Sequence, residues 1–298
     1  MSQNDPYRPP YSGQYIPPPP PPPPSYQGGS DIPPQSPYHY SPSAPRSGRN
    51  ALGWLGSAAL AVWAVVKYGL IFVAKVPALV TLLTAVLSVG AYSLLFPWQV
   101  AIGLVVMILI HEMGHVVELR RQGVAATAPI FIPFMGAAIF NRTHAQSPLR
   151  QAQIGIAGPI AGTLGAIGAL ALYSVTHEPL YAVWAYWGFW LNLFNLIPFA
   201  MLDGGWILAP VSKWVQIAGL ALLVLLFFAG FVNLLLIIVV LLGLPMVLRR
   251  FREPAYDAYL THEPLSGRAI IATAWLGLVV VLGAGLYQTE GLLQSVLR

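Results

Sequence analysis

The sequence predicts an all-α polytopic membrane protein of about seven transmembrane helices, with a short re-entrant β-hairpin after one of them. Three observations carry that expectation. Of 298 residues, 56% are hydrophobic and only 8% are charged, against roughly a quarter charged in an ordinary soluble domain. The apolar residues fall largely in runs of about 20, the length that crosses a hydrocarbon core. The basic residues, which give a net charge of +5, gather in short segments between those runs, as topology signals facing anionic lipid do. A nucleic-acid surface would need a continuous basic face, so the expected surroundings are a lipid bilayer and no nucleic acid. Cysteine is absent, which excludes a disulfide framework, a thiolate metal site and a cysteine nucleophile.

Residues 1–50 hold 16 of the 28 prolines, including an unbroken run from Pro17 to Pro24. Proline fixes φ and lacks an N–H, so a disordered tail with polyproline II stretches is expected there, suited to a proline-motif partner or to a tether. No secretory signal peptide is expected, because the first apolar run follows this polar tail rather than a short basic segment. Residues 51–76 are apolar but carry Lys67 and Lys75, with Trp54, Trp63 and Tyr68 placed to anchor at an interface. They read as an amphipathic surface helix or as a span, with the surface preferred. Residues 77–298 are expected to form one polytopic domain.

Within that domain, Pro77 to Phe96 is long enough to cross, Pro97-Trp98 makes a turn with an interfacial aromatic, and Gln99 to about Val117 crosses back. The interruption over residues 118–150 carries Arg120, Arg121, Arg142 and Arg150. Inside it, Ala128 to Phe140 is too short to span and is broken by Pro133 and Gly136. Its Phe and Ile content reads as two short strands around a turn. Irregular backbone at membrane depth is tolerated only where protein or a water-filled cavity covers it, so a re-entrant hairpin would mark a cavity; a surface loop with apolar anchors is the alternative. Gln151 to Tyr173 crosses next, with Gly155, Gly158, Gly162, Gly165 and Gly168 allowing close helix approach and Pro159 adding a kink. Tyr181 to about Pro198 follows. Val215 to Pro245 would be about 46 Å long as one helix, too long for one crossing, so Gly230 is expected to divide it. That division also puts Arg249, Arg250, Arg252 and Arg268 on the cytoplasmic side with the 118–150 loop. Ala269 to about Tyr287 is the last span.

His111 and His115 are four apart, so on a helix they project about 40° from one another, one turn apart, and make a two-point bite for a metal. Glu112 lies about 60° from His115 around the same helix, close enough to serve a water at the metal without being a ligand. Polar residues in a transmembrane run are costly, at least about 2.5 to 3.5 kcal/mol for a charged side chain near the centre, so chemistry is expected of these three. In the HExxH pattern the imidazoles bind Zn²⁺ and the Glu is the general base. A catalytic zinc takes three protein ligands, and the candidates for the third are Glu118, His144, His177, Glu178 and Asp203. Asp203 lies just past the cytoplasmic end of its span, at the depth of His111 and His115, whereas His177 and Glu178 fall on the opposite face. Gly204 and Gly205 let the backbone bend and bring that carboxylate inward. Pro198 is expected to loosen the preceding helix, leaving Asn195 free to face the cavity. His144 reads otherwise as a solvated loop residue, and Asn233 as an interhelical hydrogen-bond partner.

His111-Glu112-Met113-Gly114-His115 in one span, with Asn195-Leu196-Ile197-Pro198 leading to Leu202-Asp203-Gly204-Gly205 in a later one, resembles the site-2 protease family of intramembrane zinc metalloproteases. The hairpin from Pro129 to Ala137 and the run Ala157-Gly158-Pro159-Ile160-Ala161-Gly162 are similar to bacterial members without a PDZ or CBS domain. The similarity runs from about residue 60 to the C-terminus. It implies one Zn²⁺ held by His111, His115 and Asp203, with Glu112 as catalytic acid/base. It further implies hydrolysis of peptide bonds within or near transmembrane segments of substrate proteins, Asn195 as a contact to substrate backbone, and a place in a bacterial cell membrane. The hairpin, with Pro133 and Gly136, is expected to bind substrate by offering an edge strand to an unwound segment. A catalytically silent scaffold of the same fold is the alternative, against which Glu112 stands, since a scaffold needs no general base. A metal transporter would place further ionisable residues along the spans, and almost none are present.

Overall fold

The computed structural model describes residue 21 and residues 51–139, 147–230 and 234–296. The expectations for the Pro-rich tail, Arg142, His144 and Asn233 lie outside the described residues. The chain divides into two units, Met1–Val62 and Trp63–Arg298. In the first, the helical residues from Ala51 onward include exposed Leu60 and Val62. The second holds the fold and every site residue discussed below.

The described residues are mostly helical, and among them lies one small two-stranded sheet. The helices in chain order are α1 (Ala51–Lys75), α2 (Pro77–Tyr92), α3 (Trp98–Arg121), α4 (Pro148–Thr176), α5 (Pro179–Asn195), α6 (Asp203–Ile207), α7 (Trp214–Phe228), α8 (Leu234–Arg252), α9 (Pro254–Thr261) and α10 (Leu265–Val296). Among the described residues three helices, α3, α4 and α10, are long and apolar enough to cross a membrane, while α2 and α7 are apolar but shorter. The helix carrying His111 runs to Arg121, four residues past the expected end at Val117. Its last turn is closed by Glu118, whose carboxylate accepts from Arg121 (2.7 Å) and from Gln122 (2.8 Å).

The core is α3, α4, α5 and α10 packed in sequence, and small residues set its spacing. Gly114 of α3 lies on the backbone of α4, where a Cβ would come within 2.3 Å of the Ala157 carbonyl. The glycine series of α4 is used unevenly. A Cβ at Gly165 would touch Ile110 of α3, whereas Gly168 meets nothing. At its start α4 has Pro148 in the first turn, Ser147 accepting from the Arg150 N–H, and Glu263 accepting from the Leu149 N–H, so side chains satisfy two donors that a helix end leaves open. It continues as one helix through Pro159 and ends at His177, in left-handed conformation (φ 57°).

Gly230 (φ 91°) separates α7 from α8, in the conformation that favours glycine. At the end of α8, Arg250 is not a solvent-facing topology charge but is almost fully buried (2% exposed). It donates to Asp257 of α9 (2.7 Å) and to the Ala209 carbonyl (3.0 Å), tying the segment after α6 to α8 and α9. Removing one partner of a buried pair strands the other charge, at about 3–5 kcal/mol. Asp257→Ala is therefore expected to lower the unfolding midpoint sharply, and Glu253→Ala, which breaks only a surface pair with Arg249, to leave it near wild type.

Between α3 and α4 the expected hairpin is present as β1 (Ile130–Ile132) and β2 (Gly136–Ala138), antiparallel, pairing Ile130 with Ala138, Phe131 with Ala137 and Ile132 with Gly136. One face of α2 holds it. Thr81 donates to the Pro129 carbonyl (2.6 Å), Thr84 accepts from the Phe131 N–H (3.2 Å), and the Tyr92 hydroxyl engages the backbone of Phe134 and Gly136. The two threonine hydroxyls cover the outer edge of β1, while that of Tyr92 meets the turn and the start of β2. Because Phe131 turns its N–H away from β2, its antiparallel partner Ala137 turns its own backbone groups to the opposite edge. That strand packs beside α3.

Candidate metal centre

Two segments distant in sequence deliver one cluster. His111 and His115 stand one turn apart on α3, and Asp203 is the first residue of α6. The His111 Nε2 lies 3.0 Å from one Asp203 oxygen, the His115 Nε2 lies 3.5 Å from the other, and the two Nε2 atoms are 3.2 Å apart. Asp203 turns inward because α5 stops at Asn195 and the chain folds back on itself before α6. Gly204 and Gly205 rest on backbone there, where a Cβ would come within 2.1 Å of the Leu196 carbonyl and 2.3 Å of the Phe199 carbonyl. The Leu196 carbonyl is held in turn by the Trp275 indole N–H of α10 (2.9 Å).

Hydrogen bonds behind the rings settle which nitrogen carries the proton. Asn192 of α5 is fully buried, and its Nδ2 donates to the Gly188 carbonyl (2.7 Å), leaving Oδ1 to accept from His111 Nδ1 at 2.8 Å. The Ile154 carbonyl of α4 accepts from His115 Nδ1, also at 2.8 Å. In each neutral ring the proton is therefore on Nδ1 and the lone pair on Nε2 faces the cluster. Room for it comes from Gly158, where a Cβ would lie 2.2 Å from the His115 Nε2.

Two imidazole lone pairs and a carboxylate facing one another at these distances repel. Asp203 Oδ2 is buried and close to His111, yet it has no hydrogen-bond partner, as expected where the facing atoms are all acceptors. The Asp203 carboxylate is the anionic member of the cluster, and both of its oxygens face an imidazole nitrogen. Two nitrogens and one carboxylate oxygen are a donor set that suits Zn²⁺ with a position left open. Among the described residues this is the one group of three or more His or acidic side chains able to hold a metal ion. Glu112, half-buried, follows His111 on the same helix and stands outside that group.

The other candidates do not join it. Glu118 is engaged with Arg121 and Gln122, His177 ends α4, and Glu178 precedes α5. Asn195 is the last residue of α5. Its amide donates back to the Leu191 carbonyl (3.1 Å), because α5 stays helical through Asn195 and Pro198 loosens only the residues that follow. Pro133 and Gly136 lie at the hairpin, in the turn and at the start of β2. Sequence reasoning missed Asn192 and the Ile154 carbonyl, and read Gly158 as a helix contact and not as room for His115. Asn192 had a signal, a polar residue inside an apolar run, whereas a backbone carbonyl has none.

Residues 99–178 match the model for Peptidase family M50. That stretch is therefore similar to a zinc metallopeptidase domain of this family. The family match takes in α3, the hairpin and α4, and so His111, Glu112 and His115, but it ends before Asp203, which the fold brings to them. The chain is 31% identical over 153 residues to Zinc metalloprotease MJ0392 of Methanocaldococcus jannaschii, covering 46% of this chain and 44% of that protein. It is 33% identical over 131 residues to Rip3 of Mycobacterium tuberculosis, covering 40% of this chain and 33% of that one. The chain thus spans less than half the length of these curated relatives.

Proposed function

We propose that this protein is a site-2 protease, an intramembrane zinc endopeptidase that hydrolyses peptide bonds within or near transmembrane segments of substrate proteins. The observation that carries the reading is the convergence of two Nε2 lone pairs and a buried carboxylate, with Glu112 beside them on a helix apolar enough to lie in a bilayer. His111, His115 and Asp203 are assigned as the zinc ligands. Bound zinc supplies a Lewis acid that polarises a carbonyl and acidifies water. Glu112 takes the proton of the attacking water and returns it to the leaving nitrogen.

A transmembrane substrate hides its carbonyls in helical hydrogen bonds, so it must unwind before attack. The hairpin serves that step. Thr81 and Thr84 hold β1, Tyr92 holds the turn, and Ala137 offers its outward N–H and C=O to an unwound strand. Pro133 and Gly136 shape the hairpin, and the Asn195 amide oxygen accepts from substrate backbone. Ala137→Pro removes one edge donor while leaving an edge position where proline is tolerated. It is expected to slow cleavage of a helical transmembrane reporter more than of a pre-unwound peptide, and equal slowing would remove the hairpin from substrate binding.

In this reading α2, α3, α4, α5, α7, α8 and α10 make seven crossings of a bacterial cell membrane. The arginine-bearing segments face the cytoplasm, with residues 51–76 lying along the surface or crossing and residues 1–50 forming a tether or a ligand for a proline-binding partner. The reading is tested with purified full-length protein in liposomes and a reporter carrying one transmembrane segment. Chelation is expected to abolish cleavage and added zinc to restore it, whereas cleavage indifferent to both would overturn it.

A further inference from the structure

We propose that Asn192 is a positioning residue, holding the His111 ring in the tautomer and orientation that aim Nε2 at Asp203. Its consequence for zinc rests on the endopeptidase reading; the contact itself does not. Asn192 is fully buried where α3, α4 and α5 meet, and both ends of its amide are committed. A flipped amide would set its oxygen against the Gly188 carbonyl, so Oδ1 must face the ring and Nδ1 must carry the hydrogen. The seat is built for this side chain. A Cβ at Gly162 of α4 would lie 2.1 Å from Asn192 Oδ1, so a glycine there leaves the amide room to reach His111.

The two rings are treated differently. His115 is oriented by the Ile154 main-chain carbonyl, whereas His111 depends on a side chain from another helix. Without Asn192, His111 is free to move its proton to Nε2 or to turn the ring, and either change withdraws the lone pair from the cluster. Outer partners of this kind are worth about 10- to 100-fold in metal affinity. An Asn192 that merely joined two helices would, on replacement, lower stability and leave the His111 tautomer alone.

The experiment uses the full-length protein in micelles, labelled with ¹⁵N-histidine, with the His111 signals assigned by their loss in His111→Gln. In the metal-free wild type, His111 is expected to show a protonated Nδ1 and an unprotonated Nε2. Asn192→Leu should lose that signature and weaken zinc binding 10- to 100-fold, measured by competition with a chromophoric chelator. Asn192→Asp, whose buried carboxyl as the neutral acid donates its O–H to the Gly188 carbonyl and keeps an acceptor for Nδ1, should restore both. An unchanged His111 signature and unchanged zinc affinity in Asn192→Leu would overturn the proposal, as would loss of the signature in Asn192→Asp, a comparison that stands if the leucine variant does not fold. A wild type that binds no zinc would sink the endopeptidase reading, while the tautomer comparison would still decide the role of Asn192.

Discussion

Glu112→Gln is expected to bind zinc as the wild type does and to lose cleavage of a transmembrane reporter by at least about 10²-fold, the lower end of what general acid–base catalysis contributes. The side chain keeps its size and its place on α3, so the packing around His111 and His115 is preserved. What it loses is the capacity to accept a proton. Glu112 stands outside the group formed by His111, His115 and Asp203, so the metal is retained. Zinc content by atomic spectroscopy and reporter cleavage, measured on the same preparation, check both halves. Full activity in this variant would refute the assigned role of Glu112.

Asp203→Ala is expected to fail one step earlier. Asp203 supplies the anion of the cluster and the only oxygen in it, and its loss leaves two imidazoles on a single helix. Zinc affinity should fall by more than the roughly 10- to 100-fold of an outer-shell partner, with cleavage falling in proportion to bound metal. The two variants separate the roles, since Glu112→Gln keeps zinc without cleavage and Asp203→Ala loses both. Wild-type zinc affinity in Asp203→Ala would move the third ligand elsewhere.

Much of the arrangement is legible in the sequence because bilayers restrict what a chain can do. Apolar run length locates α3, α4 and α10, the glycine at 230 locates the break between α7 and α8, and Pro133 with Gly136 locates the hairpin. Helical spacing puts His111 and His115 on one face, and a depth argument brings Asp203 level with them. Rotation of a helix about its own axis is not written in run length. Asn192 and Asn195 sit one turn apart in the same apolar run, and only packing against α3 and α4 decides that Asn192 is the amide that meets His111. Thr81, Thr84 and Tyr92 look like scattered polar residues until the hairpin lies beside them. Arg250 carries the same positive charge as its neighbours, and only the tertiary placement of Asp257 and the Ala209 carbonyl makes it a buried clasp.

The central claim is that chemistry occurs at peptide bonds of a membrane-embedded segment. Its most direct measurement is the position of the cut, found by mass spectrometry of products from a single-span reporter incubated with the zinc-loaded protein in liposomes. A cut within or bordering the apolar segment, absent with Glu112→Gln, is the predicted result. An intact reporter, or cuts confined to distant polar flanks, would contradict the account.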